Sequence, residues 1–326
     1  MFAAGSARSR NFVVSAPNRQ IATEIAQAAE QYRKQLAEHW FGHELAPWPT
    51  VCPINVEMGA HLPASGETNY FQNPVRDFQM VVRGSYERII DSVLPHEVNH
   101  TVMATYFGEP LPRWADEGIC TTVEHVSERR NHERYLRQFL KTRRGIAMNR
   151  LFLMRDYPDD MLPLYAQGYS TCSFLIAQKG PRTFIAFLKD YMRQGSWTEN
   201  VRKHYEYESL AELQEHWLAW VADGSGDVDR FVKNATTLPA TNPADKAQVL
   251  VATNRSTDPP SLSMTNTMVG EASIVGRGTS PAAIGNIAAG SVTPVRSDNY
   301  YLQRQRQSGR PAVQTSGHVR GNTLSR

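Results

Sequence analysis

His96 and His100 stand four positions apart with Glu97 between them, in the run Leu94-Pro95-His96-Glu97-Val98-Asn99-His100. On a helix turning about 100° per residue the two imidazoles fall about 40° apart on one face, and Glu97 projects from the same side. Two imidazoles so placed can bind zinc while the carboxylate between them acts as general base, which is the HExxH arrangement. A second acid, Glu117, follows seventeen positions after His100 within Asp116-Glu117-Gly118. It would complete a His₂Glu set with a fourth zinc position left open for chemistry. Val98, Val102 and Thr105 fall on the opposite side, so one helix could carry a metal and still pack into a core.

The elements around these residues must bring Glu117 back to the histidines. Proline is tolerated in a first helical turn and breaks an interior, so Pro95 places a helix start with Asp91 as N-cap. That helix is expected to run to about Phe107 and stop before Gly108. After a proline-rich turn over 108–112, Pro112 suits the first position of a helix carrying Trp114, Glu117 and Thr121. From His100 to Phe107 the first helix travels about 10 Å, and an antiparallel second helix returns about 7 Å by Glu117. The turn supplies the rest, which puts Glu117 within reach of the histidine pair.

Upstream, residues 11–15 read as a strand, followed by a helix capped by Asn18 and ending near Gly42. Its Ile21, Ile25, Ala29, Tyr32 and Leu36 mark one face. Residues 46–53 read as loop and 54–58 as a strand. Residues 67–72 and 77–83 make a hairpin about Asn73-Pro74. Downstream, a charged helix is expected over 127–144, a loop region over 146–165, and helices over about 165–179, 182–194 and 209–222. The expected fold is therefore α+β: a small mixed or antiparallel sheet with an edge hairpin against the HExxH helix, then a mainly helical lobe. The boundaries read as one domain over 1–226, with lobes over about 11–108 and 109–226. The remainder, 227–326, is rich in Thr, Ser, Asn, Pro, Gly and Ala without period and is expected to be disordered.

Composition narrows the alternatives. The chain has 326 residues, 41% of them hydrophobic, enough for a sizeable core. Its net charge of +3 is concentrated at the end, where Arg304, Arg306, Arg310, Arg320 and Arg326 face only Asp298. The rest is nearly neutral, so the basic balance belongs to the tail and is poor evidence for a nucleic-acid-binding domain; no nucleic-acid partner is expected. Cys52, Cys120 and Cys172 are too few and scattered for a disulfide scaffold or a zinc knuckle, and read as buried small hydrophobes. One disulfide with a leftover thiol stays open. No stretch approaches the ~18 apolar residues of a membrane span, and the N-terminus lacks the apolar core of a signal peptide. The chain as written reads as cytoplasmic, or as exported if its start is mis-assigned; the oligomeric state is not legible.

LPHEVNH, LPRWADEG and the later Tyr165-Ala166-Gln167-Gly168 together resemble the gluzincin metallopeptidases, closest to their short peptidase-MA-like branch. The resemblance extends over most of 11–225. It implies a peptide or protein substrate, Zn²⁺ held by His96, His100 and Glu117, and Glu97 as base. Tyr165 matches the tyrosine of a YxxG motif that stabilises the oxyanion in aminopeptidase N-type relatives. Tyr169, one turn on, rivals it. In gluzincins an edge strand precedes the motif, so the 66–83 hairpin is expected to hold an extended peptide by strand addition. The aminopeptidase relatives also carry a GxMEN-type motif for the substrate's free N-terminus. Here Gly59-Ala60-His61-Leu62-Pro63 lacks it and Glu67 is a weak substitute, so an endopeptidase is the expected type.

Several neighbours carry two readings. Asp116 either orients a ligand histidine or is a solvated acid, and Thr121 is equally ambiguous. Cys120 reads as a packed core residue rather than a fourth ligand, Asn99 as polar surface and Trp114 as a core anchor. At the level of function, the alternatives are a catalytically inactive pseudo-peptidase that binds peptides or proteins, and a non-proteolytic zinc hydrolase. The retained Glu97 favours catalysis, since a binding module gains nothing from a general base.

Overall fold

Asn18 begins the first long helix by accepting a hydrogen bond from the Ile21 amide at 2.9 Å, and Gly42 ends it in the left-handed conformation. This helix, α1 (Arg19–Phe41), buries Ala22, Ile25, Ala26, Ala29, Leu36 and Trp40 along one stripe. The computed structural model describes residues 5–233 and the backbone of 276–278. Before α1 lie β1 (Gly5–Arg8) and β2 (Phe12–Ala16); after it come β3 (Cys52–Met58), β4 (Ser65–Phe71) and β5 (Arg76–Gly84). A parallel pair needs a crossover, and α1 supplies it between β2 and β3. The order is β1-β2-β3-β5-β4, closed at its far edge by β6 (Gly276–Gly278). β3 pairs with β5 in parallel, whereas β4 and β5 form the antiparallel hairpin expected about Asn73-Pro74. The edge strand β1 was not legible; its alternately half-buried pattern carries little hydrophobic signal.

The helical part follows as α2 (Tyr86–Arg88), a π-helical turn over Ile89–Val93, and α3 (Leu94–Phe107). Here the structure corrects the expected start. Asp91 is not the N-cap: it lies inside the π turn and takes the Arg88 guanidinium, while Ser85 caps the run from the Arg88 amide. Pro95 therefore sits within a continuous helical run. The wide turn just before it is where a helix relieves the missing N–H and the ring's clash with the previous turn. α3 ends at Gly108, whose φ of 73° suits a residue without Cβ.

Pro112 lies one residue before α4 (Arg113–Thr122), as its N-cap. α5 (Val126–Lys141) matches the charged helix. The expected loop over 146–165 is corrected: it contains α6 (Met148–Leu153) and the start of α7 (Leu162–Gln194). Within α6, Phe152 stacks on Trp114 at 4.1 Å, a contact invisible to local pattern. α7 is interrupted at Gly180-Pro181, where Gly180 has φ 80° and ψ 168°, so it comprises the two helices expected there. α8 (Trp197–Tyr205), which was not anticipated, and α9 (Leu210–Ala222) complete the set.

The fold is α+β, with a mixed sheet on one side of α3 and helices on the other. Packed chain continues past 226, since Val228 and Phe231 are buried. The rest of the expected tail falls outside the described residues apart from β6. Cys52, Cys120 and Cys172 are free and buried. Among the described residues, no helix is long and apolar enough to cross a membrane.

Candidate metal centre

The first two turns of α3 bury His96, Glu97 and His100 almost completely. After the turn over 109–112, α4 packs against α3 and sets Glu117 Oε2 at 3.5 Å from His96 Nε2 and 3.8 Å from His100 Nε2. Tetrahedral zinc ligands at about 2.1 Å from the ion stand about 3.4 Å from one another. All three atoms are buried and none has a hydrogen-bond partner among the described residues. At 3.5 Å the His96–Glu117 approach is a contact rather than a made hydrogen bond. Desolvating three such groups unpaired is costly unless something binds them. A cation between them satisfies all three at once, so the residues present fit a zinc ion.

The opposite nitrogen of each ring is fully engaged. His96 Nδ1 lies 2.7 Å from Glu124 Oε1, and His100 Nδ1 lies 2.9 Å from Asp116 Oδ1. A carboxylate on Nδ1 holds the proton there and turns Nε2 inward as the lone-pair donor. Asp116 thus orients His100; the solvated-acid reading does not hold for a residue this buried. Glu124, which the sequence reading did not single out, does the same for His96. Burial opposes charge on both imidazoles, yet the surrounding carboxylates outweigh it, and both are held above the usual histidine range.

Cys120 needs weighing as a ligand, because His96, His100 and Cys120 form a buried group with ligand atoms within 4.8 Å of one another. Its sulfur lies 3.3 Å from His100 Nδ1, the nitrogen already serving Asp116. Burial, with Asp116 and Glu117 adding to it, pushes the thiol well above its ordinary pKa. A metal binds the thiolate. The three unpartnered atoms make the better set, and Cys120 packs instead as an acceptor for Asn99 at 3.5 Å. Asn99 is not polar surface, as expected from sequence. It is fully buried and also accepts from Trp40 Nε1 at 2.9 Å.

Glu97 is placed by the sheet. Thr68 on β4 donates to Glu97 Oε2 at 2.8 Å, leaving Oε1 buried and unpartnered. Gly66 makes the approach possible, since a Cβ there would collide with the Glu97 carboxylate. Burial raises the Glu97 pKa to about 7, against the opposing influence of His96, His100 and Thr68. A carboxylate poised near neutrality is suited to taking and returning a proton.

Two tyrosines close the site on the side of Glu117. Tyr157 donates to Glu117 Oε1, and the Tyr165 hydroxyl is hydrogen-bonded to both Glu117 and Tyr157. Their rings stack at 6.5 Å. Burial and Glu117 keep both phenols well above their usual pKa and hence protonated. Tyr169 lies elsewhere, with its hydroxyl 3.3 Å from Glu133. Tyr157 fell in the stretch read as loop. The Thr121 hydroxyl donates to the Glu117 carbonyl of its own helix.

The glycines of WADEG and YAQG also have a physical reason. A Cβ on Gly118 would lie 2.5 Å from the Gly168 carbonyl oxygen, and one on Gly168 would lie 2.6 Å from the Trp114 carbonyl oxygen. α4 and α7 therefore meet backbone to backbone beside Glu117 and Tyr165.

No family model matches the chain, and no curated protein matches it. Among solved structures it is similar to a mutant form of an M1 zinc metallopeptidase from Deinococcus radiodurans, with 13% identity and a TM-score of 0.29. The match covers 74% of this chain and 54% of that one, so this chain spans about half of its length.

Proposed function

We propose that the chain is a zinc-dependent peptidase in which His96, His100 and Glu117 hold the metal and Glu97 is the general base. What carries this reading is the convergence of His96 Nε2, His100 Nε2 and Glu117 Oε2, buried and unpartnered, beside an equally unpartnered Glu97 Oε1. Bound zinc would supply Lewis acidity, acidifying water and polarising the scissile carbonyl. Glu97 Oε1 takes the proton of the attacking water and passes it to the leaving amine, while Thr68 keeps Oε2 in place. Tyr165 donates to the oxygen that gains charge, a contribution of about 3 kcal/mol for one such donor. Its present bonds to Glu117 and Tyr157 must open to make that contact. The substrate is an extended peptide or protein, and without a GxMEN-type glutamate an internal bond is the one cut.

The test is zinc content and casein cleavage for wild type and Glu97→Gln. The reading expects one zinc per chain in both, with cleavage falling about 10²–10⁴-fold in the variant. Cleavage that survives Glu97→Gln would remove Glu97 as base. Stoichiometric zinc with no cleavage by wild type under varied substrates and pH would favour the pseudo-peptidase.

A further inference from the structure

β4 has two edges, and each is paired. One bonds to β5; the other, the edge at which an extended peptide would be held in the peptidase reading, is paired antiparallel with Gly276–Gly278 of the same chain. The register sets Gly278 opposite Thr68, Arg277 opposite Asn69 and Gly276 opposite Tyr70. Thr68 is the residue that holds Glu97, through Oε2 at 2.8 Å and through the Glu97 carbonyl at 3.3 Å. Adjacent strands lie about 4.8 Å apart, so this segment passes one strand spacing from the main chain that carries Thr68, the residue that holds the base.

We propose that Gly276–Gly278 is a built-in occupant of the peptide-holding edge, competing with extended substrates for β4; this rests on the peptidase reading above. In strand addition the main-chain bonds give affinity and alternate side chains in pockets give specificity. With glycine at both 276 and 278, the occupant brings no side chain to the positions opposite Tyr70 and Thr68. At those two positions it holds on through the backbone, as a displaceable competitor should. Forty-two residues separate it from the last described residue of the domain, Lys233. A tethered segment acts at an effective concentration that reaches roughly millimolar, so even a weak strand raises the concentration of substrate needed. Covering the edge also removes a row of unpaired N–H and C=O groups that would otherwise template pairing between molecules.

The full-length chain carrying Gly276→Pro, Arg277→Pro and Gly278→Pro together tests this, because proline has no N–H to donate and does not sit within a ladder. Two readouts are taken: hydrogen exchange at the β4 amides of residues 68–70, and KM with kcat for a fluorogenic extended peptide. The proposal expects faster exchange at β4 and a several-fold lower KM with kcat unchanged. A synthetic peptide of residues 272–282 should then slow exchange again and inhibit competitively. Unchanged exchange with measurable cleavage would overturn the covered edge while leaving the peptidase reading intact. Faster exchange with no cleavage by either protein would uphold the pairing and sink the peptidase reading. Faster exchange with an unchanged KM would overturn the competition.

Discussion

The two walls of the centre are built by different physics. The helical wall, α3 with α4 and α7, brings together His96, Glu97, His100, Glu117 and Tyr165. It fixes them with carboxylates on the Nδ1 nitrogens and with a contact of backbone on backbone. The sheet wall contributes one hydroxyl and one absent side chain, Thr68 and Gly66, and both act on Glu97. Holding the metal and aiming the base are therefore separable tasks, and substitutions on the two walls should fail in different ways.

The largest effect belongs to Glu117→Ala on the helical wall. Loss of a partner outside the ligand set typically costs 10–100-fold in affinity, so loss of a ligand should cost at least about 100-fold. Zinc content after dialysis is the measurement, and unchanged content would remove Glu117 from the site. Next come Glu124→Gln and Asp116→Asn, each expected to weaken zinc about 10–100-fold while leaving the fold in place. If competition with a chelator shows no change for either, the carboxylates merely fill space. Thr68→Val probes the other wall and should leave zinc affinity untouched. A hydrogen bond to a charged group contributes about 1.5 kcal/mol or more, so kcat should fall about tenfold. A parallel drop in zinc binding would break the separation of the two walls.

The smallest effect is on pH. In the metal-free chain the raised His96 and His100 pKa values mean that stabilisation by the protonated rings is complete below about 6.5 and is lost as pH rises through the folded values. Glu97, raised to about 7, acts in the same direction, because its ionisation in a buried site costs stability as pH rises toward that value. Zinc requires neutral imidazoles and binds better in the same interval. The gap in Tm between zinc-loaded and metal-free protein should widen from pH 5.5 to 8. A gap that narrows would contradict the ligand assignment.

How much of this was legible depends on the range over which the signal acts. The helical face of His96, Glu97 and His100, the stops at Gly42 and Gly108, and the hairpin about Asn73-Pro74 are local consequences of residue type. The return of Glu117 followed from helix geometry plus one short turn. What was missed depends on partners distant in sequence. Asn99 is buried by a bond to Trp40, 59 positions earlier, and no local pattern distinguishes it from a surface asparagine. Tyr157 meets Glu117 from a stretch without period, 40 positions on. Glu124 lies in the turn just past the end of α4, where helix periodicity no longer assigns a face, and it reaches His96, 28 positions earlier. The helix start before Pro95 was misplaced because proline rules describe how a helix begins, and here the helix widens and continues.

The close approach of Gly118 to the Gly168 carbonyl, with Cys172 Sγ beside it, brings α4 and α7 together where Glu117 meets Tyr165. Any residue larger than glycine at either point pushes the helices apart. The spacing that lets Tyr165 reach Glu117 is thus written into two residues that have no side chain at all.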